Sequence, residues 1–329
     1  MCVQSTRITK ANWVTDPSSR LQAVIDRIQP AMRARFLQIV RDIKDELTLD
    51  LIEEFLATGQ IDAALATAEV ASLKLGRAWG EAFVFAGDEA AKFLAGALHI
   101  AVNFDEINDW ALSRMKENQL RLVREFGAEQ RRATKEAIED GIRRGVNPRQ
   151  VAREFRDSIG LTQRQVQAVN NYRRMLENND LNALTRQLRD KRFDSSFRRA
   201  VREGRPLGQE QIDKMVGRYR ERYLKYRSEV IARTEALRSA NEGTDSLYRQ
   251  AIDDGTLNAN DLEREWMTAA DERVRGYHRY MHHQRRPIGE SFMSGSGARL
   301  CYPGDADAPA SETVQCRCVV ATRFKVKST

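Results

Sequence analysis

The residue types best suited to chemistry in this chain crowd into its last quarter: His278, His282, His283, Cys301, Cys316 and Cys318. Thiolate and imidazole are the preferred ligands of zinc, so Cys316, Cys318 and His278 could hold an ion with one of Cys301, His282 or His283. Against that reading, Cys-x-Cys is tighter than the usual Cys-x2-Cys knuckle, and no second matching pair follows. A second reading is catalytic, with Asp271 or Glu272 and His278 as an acid–base pair, or a cysteine nucleophile beside a histidine. No nucleophile elbow, phosphate loop or metallohydrolase signature accompanies these residues. The third reading is architectural: Asp271, Arg273 and Arg275 make ion pairs and hydrogen bonds, and the thiols behave as small apolar groups. This reading is favoured, so no catalytic residue and no obligatory cofactor is expected, with zinc at His278, Cys316 and Cys318 kept open.

Such residues need elements to position them. Glu263–Met267 reads as a short strand, and Thr268 reads as the cap of a helix, with Asp271 reaching back. That helix is expected to carry Val274, Tyr277, His278, Met281 and His282, placing His278 and His282 on one side. Tyr302-Pro303-Gly304-Asp305 has Pro and Gly where a type II turn needs them. Gln315 to Phe324 alternates as a strand, which puts Cys316 and Cys318 on one face. Neighbours spaced i and i+2 on an extended strand are poorly placed for a disulfide, so two free thiols are expected.

Upstream the chain reads as mainly α, with a helical bundle and long helices through the first two thirds and a small α+β carboxy-terminal domain. Only 7 prolines interrupt 329 residues, while strong helix formers abound. The apolar stripe of Leu21, Val24, Ile25 and Ile28 is expected to stop near Pro30 and restart at Met32. Asp50 reads as a cap for a helix running to Gly59, and Asp62 as the start of an Ala-rich helix through Ala78 that can pack closely on others. A further helix is expected from Phe104 to about Arg144, with Ile107 and Trp110 among its apolar positions. Asn147-Pro148 is a cap followed by a first-turn proline. Leu161-Thr162 opens another helix, and one starting near Gln209 runs to Arg227 or joins the next, ending near Gly255. Asn241, on an apolar face, must be hydrogen-bonded. The segments divide as 1–110, 111–224 and 225–329.

Charge is uneven: residues 111–240 hold 31 Lys and Arg against 18 Asp and Glu, whereas the whole chain is only +7. Such a block suits a polyanionic partner through counterion release, or forms a solvated helix face. Arg189, Lys191, Arg192, Arg198, Arg199 and Arg202, interleaved with Phe193 and Phe197, are the candidate nucleic-acid contacts. The alternative for that phenylalanine pair is to anchor a helix to the core, and it is preferred. Met1–Arg7 lacks the apolar core of a secretory signal. The most apolar stretch, Phe83–Val102, contains Asp88, Glu89 and Lys92, so no membrane span is expected.

An ordered series then takes on meaning: Trp266, Asp271-Glu272-Arg273-Val274-Arg275-x-x-His278, Phe292, Tyr302-Pro303-Gly304-Asp305, Ala308-Pro309-Ala310 and Cys316-Arg317-Cys318, with Ile231-Ala232-Arg233-Thr234-Glu235 and Asn241 upstream. This series, over roughly residues 225–324, resembles the phage head-morphogenesis family of Mu F-like minor capsid proteins. The resemblance carries over Trp266, Asp271, Arg273, Arg275, His278, Tyr302, Pro303, Gly304, Asp305, Cys316, Arg317 and Cys318 as signature positions, with no reaction attached. It implies a non-enzymatic minor head protein of a tailed double-stranded DNA phage or prophage. Such a protein assembles in the bacterial cytoplasm and resides in the virion at the portal vertex. The implied partners are the portal protein, coat or scaffolding protein, and packaged DNA. The rival is an enzyme or toxin-related protein with a His/Cys metal site; with the sequence ending at Thr329, no appended catalytic domain is expected. One departure stands out: His282-His283-Gln284 replaces the family's usual acidic or Asn residue and Gly ahead of Gln.

Overall fold

The computed structural model describes residues 17–98, 102–105 and 109–325. Met1–Arg7 and Ile107 lie outside the described residues. The chain is mainly α, with small antiparallel sheets confined to the carboxy-terminal part.

The helices are α1 (Pro17–Glu46), α2 (Leu49–Thr58), α3 (Ile61–Leu98), α4 (Asp109–Arg143), α5 (Pro148–Ser158), α6 (Gln163–Glu177), α7 (Asp194–Arg202) and α8 (Gln209–Asp253). Two short helices, α9 (Gly276–Arg279) and α10 (Ala310–Thr313), follow. Local chemistry explains several boundaries. Asn147 caps α5, accepting from Gln150 N at 2.8 Å, and Pro148 occupies the first turn. Thr162 and Gln165 form a reciprocal capping box at α6. Gly59 closes α2 at φ 70°.

Three boundary expectations need correction. α1 runs unbroken through Pro30, which is exposed together with Asp26, so the carbonyl freed by the proline is within reach of water. The cap of α2 is Thr48, whose side chain accepts from Leu51 N, whereas Asp50 sits inside the first turn, where its charge favours the helix dipole. α3 continues well past Ala78.

Packing divides the chain into two compact units that are interleaved in sequence, unlike the consecutive segments drawn by charge and motif. One takes in residues up to Arg35, Gly76–Leu120 and Val230 onward; the other takes in Phe36–Leu75 and Arg121–Glu229. The second unit is helical and centres on Tyr172, Leu176, Phe197, Met215, Val216 and Tyr219. Phe197 is fully buried there and Phe193 packs beside it, so this pair anchors helix to core.

The first unit carries the sheet. Strand β1 (Leu262–Met267) lies between β2 (Arg285–Arg286) and β5 (Val319–Phe324), both antiparallel to it. Trp266 pairs with Val320 and Met267 with Val319. β3 (Phe292–Met293) and β4 (Arg299–Leu300) form a separate hairpin. Beneath the sheet, Leu262 joins Ala91, Leu94, Leu247, Tyr248 and Ala251 in one apolar cluster. α3 and α8 approach closely: a Cβ placed on Gly243 would lie 2.3 Å from the backbone oxygen of Phe83. Asn241, on the same helix, donates to Leu237 O at 2.8 Å, as its burial demands.

Candidate functional site

The site grows from β1. Leu262, Arg264 and Trp266 alternate onto one buried face, as period-two geometry requires. Arg264 is only 2% exposed. It holds three loop carbonyls, donating to Cys301 O (2.9 Å), Pro287 O (3.4 Å) and Glu290 O, and it reaches Asp245 at 3.4 Å. A guanidinium is the one side chain with enough donors to organise several carbonyls at once. Trp266 meets Phe292 edge-on at 5.3 Å and His278 at 5.8 Å.

After β1 the expected helix does not form. Ala270 takes a left-handed φ of 54°, and the Asp271 carboxylate accepts from Arg273 N at 3.1 Å, a local turn that competes with helix. Only the four residues of α9 are helical, and His278 and His282 part company. His278 is buried, whereas the ring of His282 accepts from Thr268 N at 3.1 Å. His283 bonds Glu265 at 2.7 Å and has φ 64°, a left-handed conformation that favours Gly.

Cys316 and Cys318 precede β5 rather than lying within it; Gln315, at φ 55°, turns the chain there. Both sulfurs nevertheless converge on one atom, each Sγ lying 3.5 Å from His278 Nδ1. The opposite ring nitrogen, Nε2, is 2.8 Å from Glu312 Oε2 on α10. Ser296 Oγ donates to the other carboxylate oxygen at 2.6 Å and Ser294 Oγ reaches it at 3.5 Å. A carboxylate on Nε2 places the proton there and leaves the Nδ1 lone pair facing the sulfurs. The three ligand-type residues are all buried.

Electrostatics in this cluster are mutual. The Cys316 thiol is held well below its ordinary range by hydrogen bonding from Cys318, against burial, and with help from His278. Cys318, whose proton serves Cys316, is pushed up, and burial adds to this. Burial works against a charged His278, but the Cys316 and Glu312 contacts outweigh it and raise the imidazole. The buried Trp266 indole N–H makes no hydrogen bond of good geometry, yet it favours a thiolate at Cys318.

The remaining signature residues brace this cluster. Asp271 pairs with Arg317, which ties the turn to the segment carrying both cysteines. Arg275 donates to the carbonyls of Glu312 (3.5 Å) and Val314. Arg273 is exposed. Tyr302-Pro303-Gly304-Asp305 is the expected turn: Asp305 N donates to Tyr302 O at 3.2 Å, and Gly304 has φ 86°. The Asp305 carboxylate then accepts from Cys301 N and Asp307 N. Arg238 of α8 reaches in to donate to Gly304 O at 2.7 Å while pairing with Glu235.

Residues 191–321 match the family model described as phage Mu protein F like protein. The match covers this part of the chain alone and marks it as similar to the phage Mu F-like family. No curated protein and no solved structure matches the chain. The match supports a link to phage head morphogenesis in general, and no described helix is long and apolar enough to cross a membrane.

Within the Mu F-like segment, residue spacing could not expose the partners that lie far away in sequence. Glu312 is 34 residues from His278 and looks like any helix carboxylate. Glu242 is another: fully buried, it accepts from Arg114 Nε (2.6 Å) and Asn118 Nδ2 (2.9 Å). Burial pushes its carboxyl up to about 7, against the pull of Arg114. Burial also opposes the charge on Arg114, yet Glu242 and Tyr302 together outweigh it and keep the guanidinium charged. The basic candidates, in the helical unit, separate into two kinds. Arg189 is held by Asp194 and Arg192 by Asp190, at 2.8 and 2.6 Å. Lys191, Arg198, Arg199 and Arg202 are exposed, the last three on α7 opposite buried Phe197 and Ala200.

Proposed function

We propose that this chain is a minor head protein of a tailed double-stranded DNA phage or prophage. It joins the portal vertex during procapsid assembly and serves there as a binding component without catalysing a reaction. The Mu F-like match over residues 191–321 carries this reading. The braced carboxy-terminal part is in keeping with it, because the signature positions mostly hold one another in place.

Contact with packaged DNA is assigned to the exposed face of α7, where Arg198, Arg199 and Arg202 stand free of the carboxylates that occupy Arg189 and Arg192. Such contact is to phosphate and carries no base sequence. The decisive experiment for the main reading is co-purification with the portal protein encoded beside it, followed by imaging of the complex; binding to none of portal, coat or scaffold rejects the assignment. For DNA, Arg198→Ala, Arg199→Ala and Arg202→Ala together should flatten the salt dependence of duplex binding, by close to one unit of log–log slope for each lost contact. An unchanged slope removes this face from consideration.

A further inference from the structure

We propose that His278, Cys316 and Cys318 bind one zinc ion, forming a buried Cys2His site whose fourth position is taken by water or another small ligand. The inference concerns the isolated chain and stands apart from the head-assembly reading.

Geometry carries it. Donors about 2.3 Å (sulfur) and 2.0–2.1 Å (nitrogen) from one zinc, at the tetrahedral angle, lie roughly 3.5 Å apart. Both sulfur-to-Nδ1 separations are 3.5 Å, and all three donor atoms fall within 4.8 Å of one another. The second observation is Glu312. A metal-bound histidine usually gives its other N–H to a carboxylate, which fixes the tautomer and strengthens the ligand. Glu312 takes that place on Nε2 at 2.8 Å, is itself buried, and is oriented by Ser296. An ordinary buried histidine needs no such arrangement aimed at two thiols.

Charge balance agrees. Zinc binding leaves both sulfurs as thiolates and the imidazole neutral, the protons they still carry passing to solvent, and the ion with these three ligands has no net charge, so burial carries little penalty. The other candidate ligands are engaged elsewhere: Cys301 lies by Ser291 (3.7 Å), His282 by Thr268 and His283 by Glu265. The proximity of the two cysteines, a poor disulfide pair when extended, is thereby given a purpose.

The test uses the full chain, purified reduced and without chelator, then supplied with zinc or cobalt(II). About one metal per chain is expected, and the cobalt form should show thiolate charge-transfer bands with the visible bands of tetrahedral cobalt. Cys316→Ser, Cys318→Ser and His278→Asn should each abolish those bands, whereas Cys301→Ser should leave them intact. Should the ligand variants fail to fold, Glu312→Gln keeps all three ligands, and its zinc affinity should drop by about 10- to 100-fold. The proposal is overturned if folded, reduced protein takes up neither ion, or if the ligand variants retain full stoichiometry.

Discussion

Gly243 offers the sharpest test of how the Mu F-like part is held. Changing Gly243→Ala adds a methyl group 2.3 Å from Phe83 O and 3.1 Å from both Ala86 Cβ and Gly87 N. The nearest obstacle is backbone on a neighbouring helix, so no side chain can swing aside, and α3 and α8 must separate by about 1 Å to restore normal contact. Overpacking of this kind costs about 1–3 kcal/mol, with rigid backbone on both sides favouring the upper end. The better helix propensity of alanine returns about 1 kcal/mol. A net loss of about 2 kcal/mol follows. Gly217→Ala supplies the control on the same helix, because a Cβ there meets nothing within 4 Å and the residue should gain about 0.5–1 kcal/mol. Urea titration followed by circular dichroism reads both. Equal stability of Gly243→Ala and the parent, or equal shifts in the two variants, would refute the close-approach argument.

Other substitutions probe single features. Glu242 binds its proton more tightly folded than unfolded, since burial lifts it from 4.5 to about 7. Its contribution is therefore lost as pH rises through that window, by an amount on the order of 3 kcal/mol, and Glu242→Gln should flatten the stability profile between pH 4.5 and 7. Arg264→Met strands the carbonyls of Cys301, Pro287 and Glu290 and should cost about 3–5 kcal/mol in the same titration. Pro30→Ala restores a helix hydrogen bond at an exposed position and should stabilise by about 1–3 kcal/mol; a loss of stability would mean that the proline is needed for the path of α1.

Legibility followed the range of the physics. The Asn147-Pro148 cap and the Tyr302–Asp305 turn depend on neighbours within three residues, so residue type alone announces them. Sequence alone leaves the 45-residue α8 open between one helix and two, because nothing near Arg227 forces either outcome. The stretch after Thr268 misled for a local reason: an Asp three residues beyond a Thr suits a capping box, yet here that Asp folds back on Arg273 N and builds a turn. His278 with Cys316 and Cys318 was readable as a candidate trio from residue chemistry. Glu312, Glu242 and Arg264 were not, since a buried charged side chain looks like a surface one until its distant partners arrive.

The interleaving of the two units limits how this protein can be dissected. A fragment cut at the borders of the family match would contain Leu247, Tyr248, Ala251 and Leu262 but not Ala91 and Leu94, which fill the same cluster. It would also keep Glu242 while discarding Arg114 and Asn118. Such a piece would leave the ribosome with an uncovered apolar flank and an acid stripped of its counter-charge. Biochemistry on the matched segment alone would thus report on a damaged object, and residues 17–325 are better handled together.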